Sequence, residues 1–160
     1  GSLFFDAGTT THQAALNLPR DRRLTLITNS IPIAATLAGH YESTLHVLGG
    51  RVRGLTQATV GSDTVAALGA LRLSTVFLGA NGISEAHGLS TPDLDEAAIK
   101  SAMVRAADRV VVLADSSKIN REDLAAFASI DDVDVLITDD GIDAQSSAAL
   151  SARGIDVVIA

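Results

Sequence analysis

The 160-residue sequence predicts an α/β fold, a mainly parallel sheet flanked by helices. Three observations carry this. Short apolar runs alternate with helical segments along the whole chain. Hydrophobic residues make up 47% of the sequence and aromatic ones only 3%, so the core must be aliphatic, as in a parallel sheet covered by helices. One apolar run after another stops at glycine or short polar residues, as strands do when they end at ligand loops. A chain of this length forms one domain and buries most of its apolar surface. No repeat, linker or low-complexity segment divides it.

The first strand contains Phe4-Phe5, a pair suited to a strand buried on both faces; it stops at Asp6 and turns through Gly8 into Thr9-Thr10-Thr11. A helix from Thr10 to about Leu18 follows, ended by Pro19 and the charged run after it. Leu24–Thr28 reads as a second strand, and Asn29-Ser30 then opens a helix with Ser30 as N-cap and Pro32 in the tolerated first turn. Gly39-His40-Tyr41 closes that helix, and Leu45–Leu48 forms a third strand ending at Gly49-Gly50.

Arg51 to Thr59 reads as an irregular or extended excursion, before a helix from about Ser62 to Leu71. Ser74–Leu78 is a fourth strand, ending at Gly79-Ala80-Asn81-Gly82. Ile83 to Thr91 is expected to be a loop, and Thr91-Pro92 to open the longest helix, Asp93 to Ala107. Arg109–Leu113 is a fifth strand with a polar end, Ala114-Asp115-Ser116-Ser117-Lys118. A helix or loop over Arg121–Ile130 leads to a sixth strand, Val133–Thr138. The turn Thr138–Gly141, a helix from Asp143 to Arg153 closed by Gly154, and a last strand, Asp156–Ile159, complete the chain.

The Gly8-Thr9-Thr10 loop admits two readings. A helix start leaves backbone N–H groups unpaired, so a loop lined by glycine and threonine there suits a phosphate or carboxylate. Alternatively, Thr9 or Thr10 caps the helix and Gly8 serves the turn. Similar chemistry at successive strand ends favours the ligand reading, because open α/β sheets bind ligands outside the carboxyl ends of their strands. The two lysines, Lys100 and Lys118, both fall at or near that rim. By spacing alone, Glu96 and Lys100 form an i,i+4 surface pair, and Arg51 and Arg53 are solvent-facing charge.

Composition excludes several classes. The net charge of −7 argues against a nucleic-acid surface, and the cluster Arg20, Arg22 and Arg23, broken by Asp21, reads as a solvated turn. With no cysteine there are no disulfides or thiolate metal sites, and His12, His40, His46 and His87 lack HExxH-type spacing; neither metal nor cofactor is expected. No G-x-S-x-G elbow, Walker loop or G-x-G-x-x-G fingerprint is present. No apolar run approaches the ~18 residues of a membrane span and no leader is visible, so a soluble cytoplasmic protein is expected. Gly1-Ser2 reads as a cloning scar, and a first strand starting at residue 3 suggests part of something longer.

Taken together, Asp6–Thr11, Leu26-Ile27-Thr28-Asn29-Ser30, Leu48-Gly49-Gly50, Phe77–Gly82, His87-Gly88-Leu89-Ser90-Thr91-Pro92, Leu113–Lys118 and Ile137–Gly141 resemble one family, in its order and over nearly the whole chain. They look like the effector-sensing domain of DeoR-family transcriptional regulators. The resemblance implies a Rossmann-like fold similar to ribose-5-phosphate isomerase, a phosphorylated sugar or related metabolite as effector, and a homo-oligomer. It also implies an N-terminal winged helix-turn-helix, which this sequence lacks, so DNA contact would belong to that part. The implied ligand-binding set is Asp6, Gly8, Thr9, Thr10, Thr11, Asn29, Ser30, Gly49, Gly50, Gly79, Asn81, Gly82, Glu96, Lys100, Asp115 and Lys118. Within it, the phosphate is expected on Gly8-Thr9-Thr10 with Lys118 approaching, while Asp6, Asn81 and Glu96 meet sugar hydroxyls.

The main rival is a sugar-phosphate isomerase. That family carries an acidic D-G-A-D-E-like run where this sequence has Gly79-Ala80-Asn81-Gly82-Ile83, which offers no carboxylate for proton abstraction. An enzyme is therefore not expected, although Glu96 could in principle serve as a base. A nucleotide-cofactor enzyme rests on α/β architecture alone.

Overall fold

The computed structural model describes residues 1–160. In chain order, β1 (Ser2–Phe5), α1 (Thr9–Leu16), β2 (Thr25–Thr28), α2 (Ile31–Leu37) and β3 (Thr44–Val47) precede a hairpin of β4 (Arg51–Arg53) and β5 (Ala58–Val60). There follow α3 (Ser62–Gly69), β6 (Thr75–Leu78), β7 (Gly82–Ser84), β8 (Gly88–Thr91), α4 (Leu94–Ala106) and β9 (Val110–Leu113). The chain ends through β10 (Ala125–Ala128), β11 (Val135–Thr138), α5 (Ala144–Ala152) and β12 (Asp156–Ile159).

Seven strands form one sheet in the order β12-β11-β9-β6-β1-β2-β3, every neighbouring pair parallel, as in a Rossmann-like fold. Because side chains alternate across a strand, Phe4 and Phe5 enter opposite faces. Phe4 joins the larger core with Leu68, Val76 and Met103, whereas Phe5 packs with Ala15, Leu26, Ile33 and Leu37 beneath α1 and α2. Phe5 also stacks on Phe77 of the neighbouring strand, ring centroids 5.0 Å apart. The paired phenylalanines thus anchor both layers from the central strand.

Local chemistry sets several boundaries. The Ser30 side chain accepts from the Ile33 amide, capping α2 with Pro32 in its first turn, as expected from the sequence. Asp93 and Asp143 cap α4 and α5 in the same way. By contrast, α1 starts one residue earlier than expected, with Gly8 at the cap position and no side-chain cap. The threonines do not cap it; Thr11 instead donates its hydroxyl to the Gly8 carbonyl at 3.0 Å.

The structure takes the extended alternative for one segment and corrects the reading of another. Residues 51–59 form the β4–β5 hairpin, sewn to the end of β2: Ile31 N–H donates to Gln57 O and Thr59 N–H to Asn29 O. Residues 83–91 are not a loop, because β7 and β8 pair antiparallel and β10, from a stretch read as helix or loop, completes a three-stranded sheet. The connection passes through Gly88 at φ 76°, where an added Cβ would run into the Ala128 carbonyl, so glycine is required there.

This second sheet changes the surroundings of α4. The helix packs on β6 of the main sheet and also beneath β8 and β10. Ala97, Ile99, Lys100, Ala102, Met103 and Ala106 are therefore all buried, around more than one face. Lys100 is inside the protein, not on the surface as its i,i+4 spacing to Glu96 had implied.

Candidate functional site

The strand order reverses at β1. The chain leaves β1 toward β2 and β3 on one side, then returns to its other side with β6 and continues outward through β9. A crevice opens outside the carboxyl ends of β1 and β6, the usual ligand position in a doubly wound sheet. A cleft of about 260 Å³ lies there. Its wall combines Gly8–Thr11 from the β1–α1 loop, Gly79–Asn81 after β6, Asp115 and Lys118 after β9, Glu96 and Lys100 from α4, and Thr56 from the β4–β5 hairpin. A larger groove of about 400 Å³ between α3 and α4 is lined mainly by hydrophobic residues and lacks this convergence of polar groups.

Beneath the cleft floor Asp6 and Lys100 form a buried ion pair, their side chains 3% and 7% exposed. Both also hold the Gly79 peptide: Lys100 Nζ donates to its carbonyl at 3.0 Å, and its N–H donates to Asp6 Oδ2 at 3.2 Å. Burial pushes the Asp6 carboxyl above its ordinary range, while the Lys100 ammonium, both as a charge and as a donor, pulls it back. The ammonium also lies 5.6 Å from the Phe127 ring centroid, a contact supplied by β10. The pair therefore fixes the loop joining β6 to β7 at the switch point.

Glu96 faces the cleft with both carboxylate oxygens held in place. The Thr56 hydroxyl donates to its Oε1 at 2.8 Å, and Arg53 reaches its Oε2 at 3.2 Å and Asp93 at 3.3 Å. Arg51 pairs with Asp95 at 2.6 Å, so both hairpin arginines bind acids at the start of α4. Across the cleft, the Asp115 carboxylate accepts from the Ser117 hydroxyl and amide, which hold it below its ordinary range. Lys118 lines the cleft within electrostatic reach of Asp115 and forms no ion pair. The chemistry available is that of binding: uncapped amides at the start of α1, threonine hydroxyls and one free ammonium for an anion, carboxylates and Asn81 for hydroxyls.

Ten of the sixteen residues singled out from the sequence line this cleft: Gly8, Thr9, Thr10, Thr11, Gly79, Asn81, Glu96, Lys100, Asp115 and Lys118. Six do not, and each has a structural task. Asp6 is spent on Lys100 and Gly79. Asn29 is buried and donates to Thr59 O, while Ser30 caps α2. The Gly49 carbonyl accepts from Thr64, and an added Cβ at Gly50 would strike the Thr64 hydroxyl and lie 2.9 Å from Val60 O. At Gly82 a Cβ would come within 2.5 Å of the Arg121 carbonyl. Sequence reasoning missed Thr56, whose only signal was its place three residues after Arg53 in the stretch read as an irregular or extended excursion.

Fold and cleft together define a doubly wound α/β domain with a polar-lined cleft at its switch point. A family model described as the DeoR C terminal sensor domain matches residues 1–140, and the chain belongs to that family. It is 37% identical over 156 residues to the HTH-type transcriptional regulator GlpR of Haloferax volcanii, covering 98% of this chain and 61% of that protein. It is 34% identical to an uncharacterized HTH-type transcriptional regulator, FruR, of Bacillus subtilis, covering 86% of this chain and 54% of the relative. It is 32% identical to a lactose phosphotransferase system repressor of Staphylococcus epidermidis, covering 86% and 55%. The chain thus spans between 54% and 61% of the length of these relatives. Family membership gives it a sensing, regulatory role. No helix is long and apolar enough to cross a membrane.

Proposed function

We propose that this domain binds a phosphorylated sugar, or a closely related metabolite, in the switch-point cleft, and that binding alters the DNA affinity of a winged helix-turn-helix in the longer protein. One observation carries the reading: the uncapped start of α1, the hydroxyls of Thr9 and Thr10, and the unpaired Lys118 converge on a cleft that also holds hydroxyl-directed acids. A protein of net charge −7 repels a phosphate at long range, so its attraction must be local, and these groups supply it. The relative named as a phosphotransferase system repressor is consistent with a phosphorylated ligand.

The domain is not an enzyme in this reading. Glu96, in the cleft wall, is held by Arg53 and Thr56, and Asp6, beneath the floor, by Lys100. Neither is free to take a proton from a substrate carbon. DNA contact, in the same reading, belongs to the helix-turn-helix, and the functional unit is a homo-oligomer. The test is a thermal-shift screen of sugars offered with and without phosphate. A ligand at a hundred times its Kd stabilises by about 2.7 kcal/mol, worth roughly 5–10 °C for a domain of this size. Shifts confined to phosphorylated members support the proposal; equal shifts with the parent sugars overturn the phosphate assignment.

A further inference from the structure

The charges lining the cleft limit what kind of phosphorylated ligand it takes, and this rests on the reading just given. Two lysines reach the wall, but Lys100 is spent on Asp6 in a pair almost closed to solvent. That leaves Lys118 as the one uncommitted cation, against the carboxylates of Glu96 and Asp115. The single Arg53 guanidinium is shared between Asp93 and Glu96, so one negative charge there stays uncompensated. Arg51 adds nothing, since Asp95 already holds it. The side of the cleft built by α4 and the hairpin therefore carries net negative charge in a half-enclosed site. The volume, about 260 Å³, lies below the usual range of roughly 300–1,000 Å³ for drug-sized ligands.

We propose that the site takes a single monosaccharide monophosphate, and that Glu96, positioned by Arg53 and Thr56, rejects a second phosphate on the same sugar. One end of the ligand meets the start of α1 and Lys118. The other must present neutral hydroxyls, because a hydroxyl donates to Glu96 while a phosphate oxygen there meets a like charge with no cation to spare. Glu96 cannot swing aside freely: its two oxygens are tied to Thr56 and Arg53, and its side chain is only 13% exposed. The hairpin thus acts as a specificity element, holding the acid in place from outside the helix that carries it.

The experiment is calorimetry at pH 7.5 with glucose and fructose, each as its 1-phosphate, 6-phosphate and 1,6-bisphosphate, on wild type, Glu96→Gln and Thr56→Ala. For whichever sugar binds, the bisphosphate should be at least tenfold weaker than the better monophosphate, about the penalty of one poorly screened like-charge contact. In Glu96→Gln, which keeps an acceptor for Thr56 but removes the charge, that ratio should fall at least threefold. In Thr56→Ala, which keeps the charge and its Arg53 contact but loses one of the two ties on Glu96, the ratio should fall by less than in Glu96→Gln. The readout is a ratio within one protein, so a reduced folded fraction cancels. A bisphosphate that binds wild type as well as the monophosphate, or a ratio that Glu96→Gln leaves unchanged, overturns this inference and leaves the proposed function standing. If no member of the panel binds while unphosphorylated sugars do, the proposed function itself fails and takes this inference with it.

Discussion

Replacing Lys100 by methionine tests how the switch point is held together. In the native domain the Lys100 ammonium and the Asp6 carboxylate are 7% and 3% exposed and clamp the Gly79 peptide between them. Removing one partner of such a pair strands the other, at a typical cost of about 3–5 kcal/mol. That is a large part of the roughly 5–15 kcal/mol that holds a domain folded. At some 2–4 °C per kcal/mol, the melting temperature at pH 8 should drop by roughly 6–20 °C.

The pH dependence gives the sharper signature. Burial already raises the Asp6 carboxyl above its ordinary value, so its contribution to stability is fully present below that value and is lost as pH rises through the folded pKa. Lys100→Met removes the group that lowers it, the folded pKa rises further, and the penalty grows toward neutral pH. The variant should therefore be closest to wild type near pH 5 and fall behind as pH rises, by at most about 1.4 kcal/mol per unit. Adding Asp6→Leu should recover most of the loss and abolish the slope. Chemical denaturation between pH 5 and 8 measures both. A loss below about 1 kcal/mol at pH 8, or one independent of pH, would refute the argument that a buried charge pair fixes this loop.

Other perturbations probe separate parts of the account. Gly88→Ala places a Cβ at φ 76° against the Ala128 carbonyl, and should cost at least about 2 kcal/mol in urea unfolding; a neutral result would mean the three-stranded sheet is misassigned. Asp143 caps α5 and its carboxyl is depressed by bonds from Ser146, so its contribution is present above the ordinary 3.8 and lost as pH falls through the lower folded value. Asp143→Asn, which still caps, should flatten the acid limb of melting temperature against pH below about 4 without shifting the neutral plateau. Thr9→Ala and Lys118→Met should each weaken binding of a phosphorylated ligand by roughly 10- to 100-fold, the worth of a hydrogen bond to a charged group, with little change in melting temperature.

The central sheet was legible because its strands are continuous aliphatic runs that stop at punctuating residues: Leu26-Ile27-Thr28, Val110–Leu113 and Leu136-Ile137-Thr138 all fall where expected. The three-stranded sheet was not, because β7, β8 and β10 are built largely from residues such as Gly82, Ser84, Gly88, Ser90, Ala125 and Ala126 that carry little strand signature. That omission spread. Without β8 and β10 over it, α4 has a solvent side, Glu96 and Lys100 read as a surface pair, and the buried Asp6–Lys100 contact has no reason to exist. Phe127, which comes from β10, lies near the Lys100 ammonium for the same hidden reason.

The site divides along the same line. Loops that follow strands of the main sheet, Gly8–Thr11, Gly79–Asn81 and Asp115–Lys118, were legible as a rim because topology brings strand ends together. Asn29, Ser30, Gly49 and Gly50 also sit at strand ends but do not line the cleft. They lie beneath the β4–β5 hairpin and α3, where close backbone approach and hydrogen bonding, not a ligand, use them. Local sequence cannot tell a glycine that admits a ligand from one that admits a neighbouring backbone.

The most direct test of the central claim is an amide-resolved NMR titration of the isotope-labelled domain with the phosphorylated sugar giving the largest thermal shift, alongside its unphosphorylated parent. The account predicts that the phosphorylated form perturbs the amides of Gly8, Thr9 and Thr10 most, then those of Asn81 and Lys118. The parent sugar should leave Gly8–Thr10 unmoved at the same concentration. Perturbations centred on the groove around Leu68, Leu71 and Arg105, or equal responses of Gly8–Thr10 to both compounds, would contradict it.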